Sequence, residues 1–175
     1  METIAVYWEP RIKTYGFNQR VGLTMVSLLL PTGSSDADHD RFNPAVAAAG
    51  DLVLTFAVPT AQGDLRLNFL LDEAAAGQLT AALSSVCSSG SRDARVETGV
   101  ELVHFNGPHF GDRYGIADAA LQALRRAEVR PLGVVCASAS VYIVLPRQTA
   151  EKVCRFLAET FDGPGGCNEA ESCKP

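Results

Sequence analysis

Val100-Glu101-Leu102-Val103-His104-Phe105 is an alternating apolar run that breaks at Gly107-Pro108. A loop punctuated by glycine follows, His109-Phe110-Gly111-Asp112-Arg113-Tyr114-Gly115, and a helical pattern starts at Ile116. Two short runs rich in β-branched residues come next, Gly133 to Cys136 and Val141 to Leu145, separated by Ala137-Ser138-Ala139-Ser140. A second helical pattern, Thr149 to Phe161, stops against Asp162-Gly163-Pro164. The order strand, loop, helix, strand, strand, helix is a split β-α-β unit of the ferredoxin-like kind, lacking only its closing strand.

Each assignment has a physical basis. Ile116, Ala120, Ala123, Leu124 and Ala127 recur at steps of three and four, so one face of the first helix is apolar. Arg125 and Arg126 fall in its last turn, where cations complement the carbonyl end of the helix dipole. Ala150, Val153, Leu157 and Phe161 repeat the stripe in the second helix, with Glu151, Lys152 and Arg155 toward water. The two central runs are too short for helices and rich in valine, which favours strands.

These residues resemble a known family. Gly111-Asp112-Arg113-Tyr114-Gly115-Ile116, then Leu121-Gln122-Ala123-Leu124, Val129-Arg130-Pro131 and Ser138-Ala139-Ser140-Val141-Tyr142-Ile143-Val144-Leu145 look like an ACT domain. The likeness is to the regulatory ACT units of aspartate kinases. There a glycine-containing loop leads into a helix, a Ser-x-Ser segment precedes a valine-rich strand, and the last helix ends in Leu-x-x-x-Phe, here Leu157 to Phe161. It covers about sixty residues well and the others weakly, and its motifs are patterns rather than invariant residues.

The whole chain has 175 residues, enough for one generous domain or two small ones. Apolar residues make up 47% and charged residues 20%, so the chain buries a core. A net charge of −5 without a basic run excludes a nucleic-acid partner, because phosphate binding needs a positive face. Met1-Glu2-Thr3 lacks the basic start of a secretory signal, and Val21 to Leu30 is too short to span a bilayer. The expectation is a cytoplasmic protein with no membrane partner. The five cysteines have irregular spacing and suggest no disulfide framework. Cys136 and Cys154 are expected in the core as small hydrophobes, and Cys167 and Cys173 in a flexible tail, 163–175.

Upstream, Ile4 to Trp8 and Ile12 to Tyr15 read as short extended segments, and Leu23 to Leu30 as a buried strand. An internal repeat then emerges, with Val26 matching Val100, Leu71 matching Leu145, Leu79 matching Val153 and Leu83 matching Leu157, an offset of 74 residues. Copy one has a polar loop, Ser34 to Arg41, and a helix cut down to Pro44 through Ala49. Strands Leu52 to Val58 and Leu65 to Leu71 follow, and then a helix capped by Asp72. Ser84 to Ser91 reads as a linker and Arg95 to Thr98 as a closing strand. The resulting fold class is α+β: tandem ferredoxin-like (βαββαβ) ACT units, antiparallel sheets with helices on one face. The first unit is expected over 16–98 and the second over 99–162, completed by a strand within 1–15. Such strand exchange is what the resemblance to aspartate kinase ACT pairs implies.

The loop before Ile116 carries the chemistry. Gly111 and Gly115 let backbone approach a ligand, the helix start favours a carboxylate, and Asp112 is suited to take an ammonium group. The competing reading is that the glycines only make a turn and Asp112 only caps the helix. Gly107, Gly111 and Gly115 fit neither a dinucleotide fingerprint nor a Walker loop. Asp36-x-Asp38-x-Asp40 begins like a calcium loop but has Arg41 and Ala47 where glycine and glutamate are needed, so no metal is expected. His109 and Asp112 near Cys136 or Ser138 have no spacing that fixes a nucleophile and base, so no catalysis is expected. Tyr7, Trp8, Tyr15 and Phe17 suit the core better than a binding stripe.

The resemblance implies an allosteric sensor that binds an amino acid at His109, Gly111, Asp112, Arg113, Tyr114, Gly115, Ile116 and Ser138. It would have no cofactor and no catalytic domain, would form a homodimer, and would answer to a partner enzyme of amino-acid metabolism. The alternatives are a structural or dimerisation module that binds no ligand, and a regulatory subunit of a separate aspartate-kinase-like enzyme.

Overall fold

Leu65-Arg66-Leu67-Asn68-Phe69-Leu70-Leu71 and its neighbours form strands because their branched and aromatic side chains pack on a pleated surface. The computed structural model describes residues 11–31, 44, 46–87, 94–164 and 167–169. The expected strand Ile4 to Trp8, the loop Ser34 to Arg41, residues 88–91 of the expected linker, and Cys173 lie outside the described residues. The described strands are β1 (Phe17–Leu30), β2 (Leu54–Pro59), β3 (Leu65–Leu71), β4 (Ala94–Asn106), β5 (Gly133–Ala137), β6 (Ser140–Leu145) and β7 (Cys167–Glu169). Three named helices accompany them: α1 (Glu73–Cys87), α2 (Ile116–Arg126) and α3 (Ala150–Thr160). The architecture is mixed α and β with mainly antiparallel strand pairing.

The chain divides into two compact units, residues 22–100 and residues 1–21 with 101–175. In the first unit the strand order is β2-β3-β1-β4. β1 and β3 pair antiparallel from Thr24↔Leu71 to Leu30↔Leu65, and β2 pairs β3 from Leu54↔Leu70 to Pro59↔Leu65. Val26, Leu28, Phe69 and Leu71 face α1, whose Ala76, Leu79 and Leu83 are buried with them. The opposite face is also buried, including Met25, Leu70 and a polar pair in which the Ser27 hydroxyl donates to Asn68 Oδ1 over 2.7 Å. A buried polar group needs such a partner to offset its lost hydration.

In the second unit the order is β5-β6-β4-β1, with β7 on the outer side of β1. β4 and β6 pair antiparallel from Glu101↔Leu145 to Asn106↔Ser140, and β5 pairs β6 from Gly133↔Val144 to Ala137↔Ser140. Val103, Phe105, Ile143 and Leu145 meet the stripes of α2 and α3 in one core. Arg126 ties the two helices by an ion pair with Glu159 and lies 5.5 Å over the Phe156 ring.

The strand that completes this unit is the first part of β1, Phe17 to Val21, which lies within the range read as the first unit (16–98). Residues 12–15 attach to the same unit by single bonds. Thr14 N–H donates to the Asp162 carbonyl (2.7 Å), Asp162 N–H to Ile12 (2.9 Å), and Tyr15 N–H to Asn106 (2.9 Å). β1 and β4 therefore each pass unbroken from one unit to the other, whereas two strands were expected in each stretch. Gly22 (φ 72°) and Gly99 (φ 73°) stand at the passages, in a region costly for any side chain. Glycine reads as an end of a strand, and here it lies within one.

Four further expectations are corrected. The stretch Ser84 to Cys87 belongs to α1 instead of a linker. Residues 167–169 of the expected tail form β7, which pairs in parallel with Phe17, Asn18 and Gln19 and covers an otherwise open backbone edge. Cys154 is buried as expected but is disulfide-bonded, where no disulfide framework was expected. Cys136 is free and exposed, because it sits at the end of the outermost strand.

His104 stacks on Tyr142, with ring centroids 5.8 Å apart. Its pKa is lowered, first by burial and then by the nearby Arg20 charge. The folded state thus favours neutral imidazole, and the unfolded state takes up its proton first as pH falls. This contribution to stability is full above about pH 6.5 and declines as pH drops below it. His104→Phe, which keeps a ring on Tyr142, should lose less melting temperature than the wild type between about pH 8 and about pH 5. Parallel melting curves for the two proteins would show that His104 is not responsible.

Candidate functional site

The strand β4 leaves the core at Gly107, where a Cβ would collide with the Lys13 carbonyl oxygen and the Phe110 ring. Phe110 is buried edge-on against Phe105, with ring centroids 5.8 Å apart, and anchors the loop from below. Above it His109, at φ 65°, starts a tight turn in which its carbonyl accepts from the N–H of Asp112 (3.1 Å) and of Arg113 (2.9 Å). The turn delivers Arg113 to the start of α2.

Gly115 is the N-cap of α2, with φ 86° and no side chain capping the helix. The first intrahelical bond runs from Ala119 N–H to the Gly115 carbonyl (2.9 Å). The preceding first-turn amides, those of Ile116, Ala117 and Asp118, have no acceptor within the helix. They carry the positive end of the helix dipole. Opposite them lies the hairpin between β5 and β6. Ala137 pairs with Ser140, leaving a two-residue turn whose first residue, Ser138, adopts φ 53°. A positive φ at that place suits the twist of a tight hairpin.

Loop, helix start and hairpin enclose a cavity of about 230 Å³. Its apolar wall is Phe110, Ile116 and Val141, all buried. Arg113 and Tyr114 stand beside Gly115 and Ala117 on one side, with Cys136, Ser138 and Ser140 on the other. Tyr114 is 97% exposed, so its ring has no packing role in the chain as it stands.

Of the residues expected to bind a ligand, Arg113, Tyr114, Gly115, Ile116 and Ser138 are brought together here. His109, Gly111 and Asp112 do not line the cavity. The carboxylate of Asp112 lies 3.9 Å from His109 Nδ1, and both side chains are more than half exposed. Nor does Asp112 cap α2, since the cap is Gly115. The aromatic floor Phe110 and the hairpin residues Cys136, Ser140 and Val141 were missed, because they read as ordinary core or turn residues.

The N-terminus of α3 is closed differently. Glu101, buried in β4, accepts from the N–H of Gln148 (2.9 Å), Thr149 (2.9 Å) and Ala150 (2.7 Å). A carboxylate from another strand thus satisfies amides that the local sequence leaves open. Among the described residues, no group of three or more His, Cys, Asp or Glu side chains could hold a metal ion. None of the described helices is long and apolar enough to cross a membrane.

No protein family and no curated protein matches the sequence. Solved structures do match the fold. The regulatory subunit of aspartate kinase from Thermus flavus superposes with a TM-score of 0.75 at 14% identity, over 86% of this chain and 99% of that one. The aspartokinase alpha and beta subunits give a TM-score of 0.70 at 15% identity, over 84% of this chain and 97% of theirs. Aspartate kinase from Synechocystis gives 0.75 at 15% identity, covering 93% of this chain and 30% of its own length. The chain has the fold of aspartate kinase regulatory units.

Proposed function

We propose that this chain is an amino-acid-binding regulatory protein made of two ACT-like units, each with a βαββαβ path. The units are residues 22–100 and residues 101–162 completed by Phe17 to Val21. The single observation that carries this reading is that a chain with this fold places a small cavity at the start of α2, against a Ser-x-Ser hairpin. A cavity of about 230 Å³ lies below the usual range for drug-sized ligands and suits a small metabolite. The helix amides are placed to receive its carboxylate.

Control of a separate enzyme would follow from ligand-dependent contacts of the strand edges. β5 is the outermost strand of its unit, and its Val134 and Val135 are half-buried. An edge of this kind invites pairing with a second copy, so the working form is a homodimer. The Asp112 side chain lies outside the cavity and Asp112→Ala should leave affinity within about twofold, whereas filling the cavity by Ser140→Leu should abolish binding.

Melting curves of the purified protein with each proteinogenic amino acid in turn test this reading. At least one should raise the melting temperature in a concentration-dependent way, since a ligand that binds only the folded state stabilises it. If none does, the chain is a structural or dimerisation module instead.

A further inference from the structure

We infer that the unit 22–100 holds a second binding site, a cleft between α1 and the outer strand β4 that takes a small organic cation, an amine with a short apolar body and no carboxylate. The cleft belongs to the other unit from the cavity at α2, and the inference does not depend on how that cavity is read.

The cleft has a volume of about 450 Å³, within the range that small-molecule sites occupy. Its floor includes Ala76 and Thr24, each 3% exposed, and Val96 of β4 stands at its rim, 47% exposed. Thr24 is thus almost wholly buried, yet its hydroxyl has no hydrogen-bond partner among the described residues. Unlike the equally unpaired Thr14 hydroxyl, it keeps some open surface, and the cleft is what it opens to. A buried hydroxyl without a partner costs stability, so one on a cleft wall points to a partner from outside the chain. Gly77 lines the same cleft from inside α1, where glycine is the least favourable residue after proline. A Cβ there would meet nothing within 4 Å, so the glycine relieves no clash and instead leaves room in the cleft.

The other unit fills the same corner with its own side chains. Thr24 lies across from Leu71, the last residue of β3, as Glu101 lies across from Leu145, the last residue of β6. Glu101 reaches the start of α3 and accepts from three N–H groups. A threonine is too short to do this, and at Thr24 the space is open.

Charge sets the ligand class. Among the described residues lining the cleft, Glu73 is the only charged one, and it has no ion pair with any of the described residues. No Lys, Arg or His stands with it. The partial positive charge of the α1 start is outweighed by Asp72 and Glu73. The unit as a whole has nine Asp and Glu against four Lys and Arg, which draws cations toward it. An ammonium group therefore meets Glu73, and a short apolar body lies against Ala76, Ala81 and Val96. The Thr24 and Thr98 hydroxyls turn to donate or accept for a polar group on the ligand. A carboxylate would meet Glu73 with no cation to offset it, which turns away anions.

The experiment titrates the full chain, labelled with nitrogen-15, with isoamylamine and separately with isovalerate, which share a branched apolar body and have opposite charges. The expected result is saturable amide shifts at Thr24, Glu73 to Ala81 and Val96 to Thr98 with the amine, and binding of isovalerate weaker by about tenfold or more. Glu73→Gln should weaken the amine by about three- to tenfold, as suits a carboxylate in contact with solvent. Gly77→Leu should abolish binding by filling the cleft, with a melting temperature no lower than that of the wild type, since leucine suits a helix. Thr24→Val keeps the shape and removes the hydroxyl. It should melt no lower than the wild type and yet bind the amine more weakly, an outcome that a purely structural threonine would not give. Equal binding of the amine and isovalerate overturns the inference. Shifts centred outside these segments, or none, overturn it, and so does a Gly77→Leu protein that binds as the wild type does. A Thr24→Val protein that melts lower shows that the hydroxyl has a partner within the chain, and overturns it as well.

Discussion

Phe105→Ala should cost about 3–5 kcal/mol of stability, the usual loss for deleting a fully buried aromatic ring. Phe105 has no exposed surface and stands among three other rings, two of them from distant parts of the chain. Phe17 of β1 is 5.3 Å away between centroids, Phe161 at the end of α3 is 5.0 Å away, and Phe110 of the site loop is 5.8 Å away. Beyond its area, each tilted or edge-on ring pair adds roughly 0.5–1.5 kcal/mol. A domain's total stability is about 5–15 kcal/mol, so a large part of it depends on this one ring. The same cavity would loosen Phe110 and Phe17, and with them the floor of the binding cavity and the strand supplied from the amino terminus. Urea unfolding is the measurement. A loss under about 1 kcal/mol would mean that the four rings are not a common core, whereas Tyr114→Ala, at an exposed position, should stay within about 0.5 kcal/mol.

Glu101→Ala should cost about 3 kcal/mol, since it leaves the amides of Gln148, Thr149 and Ala150 facing a buried space without an acceptor. Only 7% of Glu101 is exposed, so water does not readily take the place of the carboxylate. Glu101→Gln keeps one acceptor oxygen but turns a donor amide toward donor amides, and should recover less than half of the loss. Amide hydrogen exchange at Gln148 to Ala150 should speed up in both variants. Unfolding midpoints equal to the wild type would show that local capping of α3, not Glu101, holds that helix start.

Much of the fold was legible because the second unit keeps clean periods. The stripes of α2 and α3 and the runs of β4, β5 and β6 are each visible in a few residues. The repeat was legible in its later part only. Leu71 and Leu145 are equivalent, and their strand partners are Thr24 and Glu101, an offset of 77 residues instead of 74. The difference is odd, so the sequence match of Val26 with Val100 turns the wrong face of the strand inward. Val26 in fact corresponds to Val103 and Leu28 to Phe105, each pair lying in the helix-side cores. Leu-rich runs buried on both faces carry no alternation that would fix the register.

The site was half legible for a similar reason. Arg113 to Ile116 lie at a helix start that glycine and periodicity mark plainly. Ser140 and Cys136 join them through the β5–β6 pairing, and Phe110 through ring packing, and neither leaves a local signature. The role of Glu101 was equally hidden, since its partners lie 47 to 49 residues further along the chain.

The most direct test of the account is the map of backbone amide shifts when the protein, labelled with nitrogen-15, is titrated with the amino acid that raises its melting temperature. The central claim is that the ligand sits at the start of α2. It predicts saturable shifts concentrated at Arg113 to Asp118 and at Cys136 to Val141, with the core of residues 22–87 little changed. Shifts centred on the unit 22–100, or none in the two segments around α2 and the hairpin, would contradict it.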